Sequence, residues 1–397
     1  MRIEVRGFRS AREIAFAPAG VCALVGEANA GKSNILVAIR ALLDSGAPPI
    51  VRGDLSLGGD GRITIRGVLA TGDTLGLEAE PPGVPRANRR GAPAMLFLPA
   101  SARASSLLLA SPLQDEGVAR AFDLFRGALA EQVGSQPASA TAPALSLVAA
   151  IERCCALGVR GVVLLIEEPE LYLRPQAQRY LYRLLREFAA GGNQVIYSTH
   201  SPAFLNVARL DELVFVERAE ETGTRAIQPP PAPADEEIRV RTEFDAERSE
   251  LFLARAAVLV EGMTEKLTLP FVFQALGHDH DREAISIVEC GGKSGIPFFA
   301  RICNVVGVPF VAVHDRDARP GKKPIDAERA LNELIAEVAG RERTIVLEPD
   351  FEAVAGLSGH THKPERAWRS FATLPATKMP PQLLHAATLA LTLARQE

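Results

Sequence analysis

A glycine-rich segment near the N-terminus has the residue types and the spacing that bind nucleotide phosphates. It reads GEANAGKS from Gly26 to Ser33 and fits the pattern G-x-x-x-x-G-K-[ST]. The glycines let backbone N–H groups turn toward phosphate oxygens, Lys32 reaches the β- and γ-phosphates, and the Ser33 hydroxyl is placed for Mg²⁺. The pattern therefore predicts ATP bound with Mg²⁺. The predicted nucleotide-binding residues in and beside this loop are Gly26, Asn29, Gly31, Lys32, Ser33 and Asn34.

Two further apolar runs end in polar residues that suit the same chemistry. The run at 161–166 leads into Glu167 and Glu168, and the run at 194–198 leads toward His200. Behind a phosphate-binding loop, we expect Glu167 to orient Mg²⁺ through water and Glu168 to polarise the attacking water. His200 is expected to contact the γ-phosphate region. Taken singly, the carboxylates are more typical of a solvated turn and the histidine of a structural role.

A second set of carboxylates follows strand-like runs in the C-terminal half. Glu261 follows AVLV, Asp315 and Asp317 follow PFVAVH, and EPDFE at 348–352 follows TIVL. Carboxylates that converge at the ends of parallel strands repel one another unless a hard cation such as Mg²⁺ or Mn²⁺ neutralises them. Two such ions about 4 Å apart would support phosphodiester cleavage. The predicted metal ligands are Ser33 and Glu167 at the nucleotide, and Glu261, Glu265, Asp315, Asp317, Glu348, Asp350 and Glu352 in this second set. Each acidic segment taken alone is more typical of a solvated turn.

These runs must be positioned by α/β domains, because short β-branched runs alternate with amphipathic helical segments. A proline-rich segment at 228–237 is typical of a linker or an extended loop and separates two such series. We predict an N-terminal domain over 1–235, with a short insertion around 100–145, and a C-terminal domain over 240–397. The predicted strands are 21–25, 94–98, 161–166, 194–198, 257–260, 284–288, 309–313 and 344–347, and the predicted helices include 117–132 and 176–188.

Composition excludes several classes of protein. The 397 residues are 47% hydrophobic and 23% charged, which is typical of a globular protein, and no apolar run is long enough to span a membrane. The N-terminus lacks the apolar core of a secretory signal, so we expect a cytoplasmic protein without membrane contact. Five cysteines without CxxC spacing favour buried thiols. The net charge of -4 means that any DNA contact must come from a local basic patch.

The motifs of the first half together resemble the ABC-type ATPase domain of OLD-family and RecF/SMC-like proteins. The resemblance rests on MRIEVRGFRS, GEANAGKSNIL, VVLLIEEPELYLRP and QVIYSTHSP. It implies that His200 is the switch histidine, that Glu168 activates water, and that two chains form a head-to-head homodimer through this domain. Each site would be completed by a signature motif from the partner, expected around 134–148. GSQPASATAPALSLV stands there without the usual glycine core, which favours ATP binding over efficient hydrolysis.

The second half resembles a Toprim domain, a Rossmann-like α/β fold in which a glutamate is followed by a DxD pattern. VLVEGMTEK, ECGGKS, HDRD and LEPDFE occur in the order seen in OLD-family nucleases. The resemblance implies two-metal cleavage of DNA, assisted at the phosphate by a lysine. Lys363 is the first choice for that lysine, Lys378 is the second, and Lys293 is another candidate phosphate contact. The resemblance also implies a role in phage defence or DNA repair, with a partner protein.

Three functions follow from these observations. The leading hypothesis is an ATP-binding, metal-dependent DNA endonuclease of the OLD type. The alternative is a nucleotide-dependent DNA-binding or scaffold protein with weak or absent nuclease and ATPase activity, which the altered signature segment favours. A topoisomerase-like or primase-like activity is the third. Covalent strand passage is disfavoured because all four tyrosines precede residue 200 and none lies in the Toprim-like half.

Overall fold

The computed structural model describes residues 1–98, 100, 108–109, 142–171, 173–205, 210–219, 221–230, 247–317, 325–357 and 362–395. Two units are distinguished by their internal contacts, Met1–Thr242 and Glu243–Glu397. The predicted boundary near residue 235, most of the predicted insertion, the predicted helix at 117–132 and the segment at 134–141 lie outside the described residues. Among the described helices, none combines the length and the hydropathy that crossing a bilayer requires.

The first unit contains two sheets and three described helices. Its helices are α1 (Lys32–Leu43), α2 (Ala142–Ala156) and α3 (Pro175–Ala190). Its strands are β1 (Arg2–Phe8), β2 (Ala11–Phe16), β3 (Val21–Val25), β4 (Ile63–Val68), β5 (Thr74–Ala79), β6 (Arg86–Asn88), β7 (Ala94–Leu98), β8 (Leu108–Leu109), β9 (Val162–Glu167), β10 (Gln194–Thr199), β11 (Leu213–Ala219) and β12 (Gly223–Ile227).

The larger sheet brings the polar segments of the first half to one edge. Its strand order is β12-β11-β3-β10-β9-β7-β8, and the five strands from β11 to β7 run parallel. The register sets Val25 beside Thr199 and Ser198 beside Glu167. The carboxyl ends of β3, β10 and β9 therefore lie side by side. The strands predicted here are confirmed. Every residue of β3 is buried, as is every residue of β9 except Glu167, which is expected for central parallel strands.

The smaller sheet is antiparallel, with the order β2-β1-β4-β5-β6, and its strands are not among the predicted ones, although apolar and polar residues alternate along the first strand. Along β4 and β5 every second residue is buried, so each strand has one apolar face and one solvated face. Helix α1 lies between the two sheets, because Ile39 shares one core with Ile65 of β4 and Leu165 of β9. This core fixes the helix that begins at the phosphate-binding loop.

The second unit contains a parallel sheet of four strands, and the strands predicted in this half are confirmed. The strands are β13 (Ala256–Val260), β14 (Ile285–Glu289), β15 (Phe310–Asp315) and β16 (Thr344–Leu347), and the helices are α4 (Met263–Ala275), α5 (Ile296–Val306), α6 (Ile325–Ala339), α7 (Phe351–Val354), α8 (Lys363–Thr373) and α9 (Pro381–Ala394). The strand order is β14-β13-β15-β16. One face of the sheet packs on α4, α8 and α9, and the other face on α5 and α6.

Candidate functional site

The phosphate-binding loop connects β3 to α1 through left-handed backbone at Asn29 (φ 65°) and Gly31 (φ 112°). A Cβ atom at Gly31 would lie 2.2 Å from Thr224 Oγ1, and one at Gly26 would lie 2.0 Å from the carbonyl oxygen of Val216. Both glycines are therefore required by the close packing of the loop against β11 and β12. The glycine spacing reflects this packing as well as the approach of a phosphate.

Lys32 is the only lysine in residues 1–242, and its side chain folds back over the loop. Its Nζ donates hydrogen bonds to the carbonyl oxygens of Gly26 and Glu27, each at 2.7 Å. Burial lowers the pKa of Lys32 to about 8, against the opposing effect of nearby carboxylates, of which Glu168 is the strongest. The ammonium is thus held at the loop by two neutral acceptors, which a polyphosphate with its charged oxygens would replace.

Asn34 attaches the first turn of α1 to the turn between β1 and β2. Its Nδ2 donates to Ser10 Oγ at 2.7 Å, and Thr224 Oγ1 lies within hydrogen-bond distance of both Ser10 Oγ (2.7 Å) and the carbonyl oxygen of Ala30 (2.8 Å). The predicted nucleotide-binding residue Asn34 is therefore placed to position the loop. Ser33, in contrast, is exposed at the start of the helix.

Glu168 and His200 meet beside the phosphate-binding loop. Glu168 adopts a left-handed backbone (φ 46°), and its N–H donates to the carbonyl oxygen of Ser198 at 3.0 Å. His200 Nε2 lies 3.8 Å from Glu168 Oε1, and both side chains are partly exposed. Burial, and then the charge of Lys32, lower the pKa of His200, while Glu168 opposes this shift. The structure thus brings Lys32, Glu168 and His200 together.

Glu167 and Glu170 flank this group in different ways. Glu167 Oε2 accepts a hydrogen bond from the backbone N–H of Ala100 at 3.0 Å. Glu170, for which no role was predicted, accepts hydrogen bonds from Thr199 Oγ1 (2.9 Å) and from the backbone N–H of His200 (2.7 Å) through one oxygen. Its other oxygen is buried and has no hydrogen-bond partner in the described part of the chain. Glu170 therefore positions the backbone that carries His200, and its only signal in the sequence is its place in the EEPE run.

We expect Glu170→Ala to lower the free energy of unfolding by about 1–3 kcal/mol, because the Thr199 hydroxyl and the backbone N–H of His200 both lose their acceptor. Glu170→Gln keeps an acceptor oxygen of the same reach and is expected to lower it less. Urea unfolding of both variants and the parent chain measures the difference. Equal losses for the two variants would show that the carboxylate does not hold the His200 segment.

In the second unit, the strand ends bring three carboxylates together, which we call the acidic cluster: Glu261, Glu265 and Asp315. Glu261 Oε1 accepts a hydrogen bond from the backbone N–H of Asp315 at 2.6 Å, which ties the ends of β13 and β15 together. Asp315 Oδ1 accepts from the backbone N–H of Phe351 at 2.8 Å. Glu265 is buried in the first turn of α4.

The acidic cluster has the electrostatic character of a cation site. Burial, together with neighbouring carboxylates, raises the pKa of Glu261 and of Glu265 to about 7 and that of Asp315 to about 8, against the opposing effect of backbone hydrogen bonds. Such shifts mean that the charged forms lack solvation and opposite charge. A donor set made only of carboxylate oxygens suits a hard divalent cation such as Mg²⁺ or Mn²⁺, so the residues present fit the predicted metal.

Glu352 and Lys363 lie next to the acidic cluster. Glu352 is among the carboxylates that raise the pKa of Asp315, and its Oε1 is 2.5 Å from Lys363 Nζ. The hydrogen bond to Glu352 raises the pKa of Lys363, which begins α8. Lys378 lies exposed in the turn Ala376–Lys378. Of the two lysines proposed for the phosphate, Lys363 is thus the one seen in contact with an acid of this site.

Two predicted metal ligands make other contacts. The Glu348 carboxylate is exposed and lies 2.7 Å from Arg316 Nη1. Asp350 is buried and caps α7, because its Oδ1 accepts from the backbone N–H of Ala353 at 2.9 Å. Within the acidic run at 348–352, Glu352 is therefore the residue with the closest electrostatic link to the cluster.

Asp317 is held between two elements. Its backbone is left-handed (φ 53°), and its N–H donates to the carbonyl oxygen of Pro349 at 3.1 Å. Its Oδ2 lies 3.7 Å from Nζ of Lys293, which is buried in the turn after β14. Lys293 is therefore an internal neighbour of Asp317, which disfavours the predicted direct contact with phosphate.

One group of side chains has tighter metal-like spacing than the acidic cluster. Within the described ranges, three candidate ligand atoms lie within 4.8 Å of one another only at Asp279, His280 and Asp281. Both aspartates are exposed in the turn between α4 and β14, as is common for acidic turns that hold no ion. The strand-end carboxylates are spaced more widely, as expected for like charges in low-dielectric surroundings.

Comparison with known proteins finds a match in each unit. The family described as "Overcoming lysogenization defect protein-like, TOPRIM domain" matches residues 252–317. The family described as "AAA domain, putative AbiEii toxin, Type IV TA system" matches residues 141–206. The predicted order of an ATPase domain followed by a Toprim domain is therefore confirmed.

Two curated relatives are nucleases. The chain is 36% identical to the OLD nuclease of Thermus scotoductus over 247 residues, which is 57% of this chain and 47% of the relative. It is 28% identical to the Old nuclease of Escherichia phage P2 over 164 residues, which is 40% of this chain and 28% of the relative. The resemblance to OLD proteins predicted from the motifs is confirmed. The chain spans about half the length of the first relative and less of the second.

Solved structures of related type are also found. The SMC head domain from Thermotoga maritima is 15% identical, with a TM-score of 0.36 over 59% of this chain and 98% of that one. The C-terminal region of the Burkholderia pseudomallei OLD protein is 17% identical, with a TM-score of 0.31 over 36% of this chain and 99% of that one.

Proposed function

We propose that this chain, whose two domains are similar to those of the OLD nucleases, is an ATP-binding, divalent-metal-dependent DNA endonuclease. The observation that carries the proposal is the acidic cluster at the carboxyl edge of a parallel sheet. Glu265 is buried, Glu261 and Asp315 are half-buried, and all three have raised pKa values. An uncompensated group of this kind destabilises the fold and is therefore a candidate for function. We place the protein in the cytoplasm, acting on DNA in phage defence or repair, together with a partner protein.

In the proposed nuclease site, Glu261, Glu265 and Asp315 bind Mg²⁺ or Mn²⁺ together with Asp317 and Glu352. When bound, such ions neutralise the scissile phosphate and promote the attack of water on it. The hydrogen bonds from the backbone N–H groups of Asp315 and Phe351 fix the orientations of Glu261 and Asp315 before substrate arrives. Lys363 supplies a positive charge that we assign to the phosphate, and Glu352 holds it in place.

In the proposed ATP site, Lys32 binds the β- and γ-phosphates, while Ser33 and Glu167 serve the Mg²⁺ that accompanies the nucleotide. Glu168 polarises water, and His200 senses the γ-phosphate. We propose that ATP joins two copies through this unit and so controls the nuclease. The segment at 134–148 lacks a glycine core, which supports ATP binding without efficient hydrolysis.

Nicking of supercoiled plasmid tests the proposal. Incubation of the full chain with Mg²⁺ or Mn²⁺ is expected to convert supercoiled plasmid into nicked circles, and EDTA is expected to prevent this, because the carboxylates repel the phosphate without a cation. Parallel reactions with ATP, ADP and no nucleotide measure the regulation. Intact plasmid in every metal arm would refute the nuclease assignment.

A nucleotide-dependent DNA-binding scaffold is the second candidate, and the altered signature segment favours it. Such a protein would retard DNA in a gel without metal, more strongly with ATP, and would leave the plasmid intact. The same reactions, loaded on a native gel, therefore distinguish the two functions.

A further inference from the structure

A buried ion pair lies beneath the Asp315–Asp317 turn, on the sheet face opposite Asp315. It joins Lys293, in the turn before α5, to Glu328 in the first turns of α6, and each residue is only 7% exposed. Burying both charges costs several kcal/mol of desolvation, so the pair is a costly feature for a stable fold alone. The pair lies next to Asp317, a predicted metal ligand, which points to a role in positioning that ligand.

The ammonium of Lys293 is shared unequally between two carboxylates. Its Nζ lies 3.2 Å from Glu328 Oε2, which is hydrogen-bond distance, but 3.7 Å from Asp317 Oδ2, which is beyond it. Glu328 is therefore the closer partner of the lysine. Asp317 receives only the longer-range attraction, and its carboxylate is 44% exposed.

Helix α6 also holds the backbone of the turn. Asn332 is four residues after Glu328 and so lies on the same helix face. Its Nδ2 donates to the carbonyl oxygen of Arg316 at 3.2 Å, and Lys293 Nζ lies 3.4 Å from the same oxygen. The middle of the Asp315–Asp317 turn is thus attached to α6 at the point where the lysine is held.

We propose that Glu328 is a positioning residue that draws Lys293 away from Asp317 and so leaves the Asp317 carboxylate free to bind a divalent cation. The inference rests on the proposed metal site. Without the charge of Glu328, the buried ammonium would have Asp317 as its remaining carboxylate partner within 4 Å among the described ion pairs. A cation would then have to displace a lysine from its own ligand.

The test measures binding of Mn²⁺ alone to the full chain by electron paramagnetic resonance, without DNA or nucleotide. Glu328→Gln is expected to weaken Mn²⁺ binding about tenfold, as is typical when a partner of a metal ligand is lost. The double variant Glu328→Gln plus Lys293→Met removes the competing ammonium as well and is expected to regain most of the affinity. Glu337→Gln, an exposed change on the same helix, is the matched control and should bind as the parent does.

The double variant separates positioning from a merely structural role. Parent-like Mn²⁺ binding by Glu328→Gln, or equal weakness of the single and double variants, would overturn the inference. If Glu328→Gln does not fold, Glu328→Asp replaces it, because the shorter side chain moves the carboxylate away from Lys293 by one methylene. Unchanged Mn²⁺ affinity in Glu328→Asp would also overturn the inference. If the parent chain binds no Mn²⁺, the proposed metal site itself is refuted.

Discussion

Asp315→Asn is expected to reduce metal-dependent nicking by about 1,000-fold or more, because a catalytic metal contributes several kcal/mol and each 1.4 kcal/mol is about tenfold in rate. Asp315 is the central carboxylate of the acidic cluster, since it contacts the segment after β16 through Phe351 and the end of β13 through Glu261. Asparagine keeps an oxygen for the Phe351 N–H but loses the charge. The expected loss is therefore one of metal binding and not of folding.

Stability provides an independent readout for the same variant. Burial and neighbouring carboxylates raise the pKa of Asp315 to about 8, so an uncharged side chain is not penalised in the metal-free protein. The thermal midpoint of metal-free Asp315→Asn should equal or exceed that of the parent, while the increase on adding Mn²⁺ should shrink. Asp326→Asn, an exposed change in the same unit, serves as control. Full nicking activity in Asp315→Asn would remove this residue from the site.

The strand-end arrangement of both sites could be predicted from the sequence. Val21–Val25 and Phe310–Asp315 are short apolar runs with polar residues directly after them, and such runs form central parallel strands. Since parallel strands end at one edge, the loop, Glu168 and His200 had to lie together, as did Glu261 and Asp315. These positions could be predicted from the apolar runs and from the polar residues that follow each run along the chain.

Side-chain direction within the turns could not be predicted in this way. Glu348 and Glu352 belong to one acidic run, but the first pairs with Arg316 and the second with Lys363, because the chain turns between them. Glu328 is 35 residues from Lys293, and Glu170 is 30 residues from the backbone N–H that it holds. Such contacts depend on how α6 and β10 pack, which no local pattern encodes.

The antiparallel sheet was missed for a different reason. Its strands β4 and β5 are six residues each and lie in a stretch rich in glycine and proline, where alternation is hard to distinguish from loop. The buried residues of β4 and β5 pack in one core with α1, and this packing cannot be read from the strands' own sequence. The sheet bears on the proposed ATP site because Ser10, in the turn between β1 and β2, accepts a hydrogen bond from Asn34 and so helps to position the phosphate-binding loop.

Lys32→Met is expected to weaken ATP binding by about 100-fold, because removing one partner of a buried, hydrogen-bonded charge pair costs roughly 2–5 kcal/mol. Methionine has a similar length and apolar stem but cannot donate to phosphate oxygens. The loss of ATP binding should be seen whether or not the nuclease site is intact, since Lys32 lies in the first unit. Titration with a fluorescent ATP analogue measures it, and Lys378→Met, the same change at an exposed lysine, is the control.

The pH dependence of the same titration identifies the ammonium as the cause. Burial lowers the pKa of Lys32 to about 8, so the lysine is charged below that pH and loses its proton above it. Binding to phosphate favours the charged form, so affinity should be constant below about pH 8 and should then fall as the pH rises. Lys32→Arg remains charged throughout and should not show this fall. Equal pH profiles for the parent and Lys32→Arg would mean that the ammonium of Lys32 does not bind the phosphates.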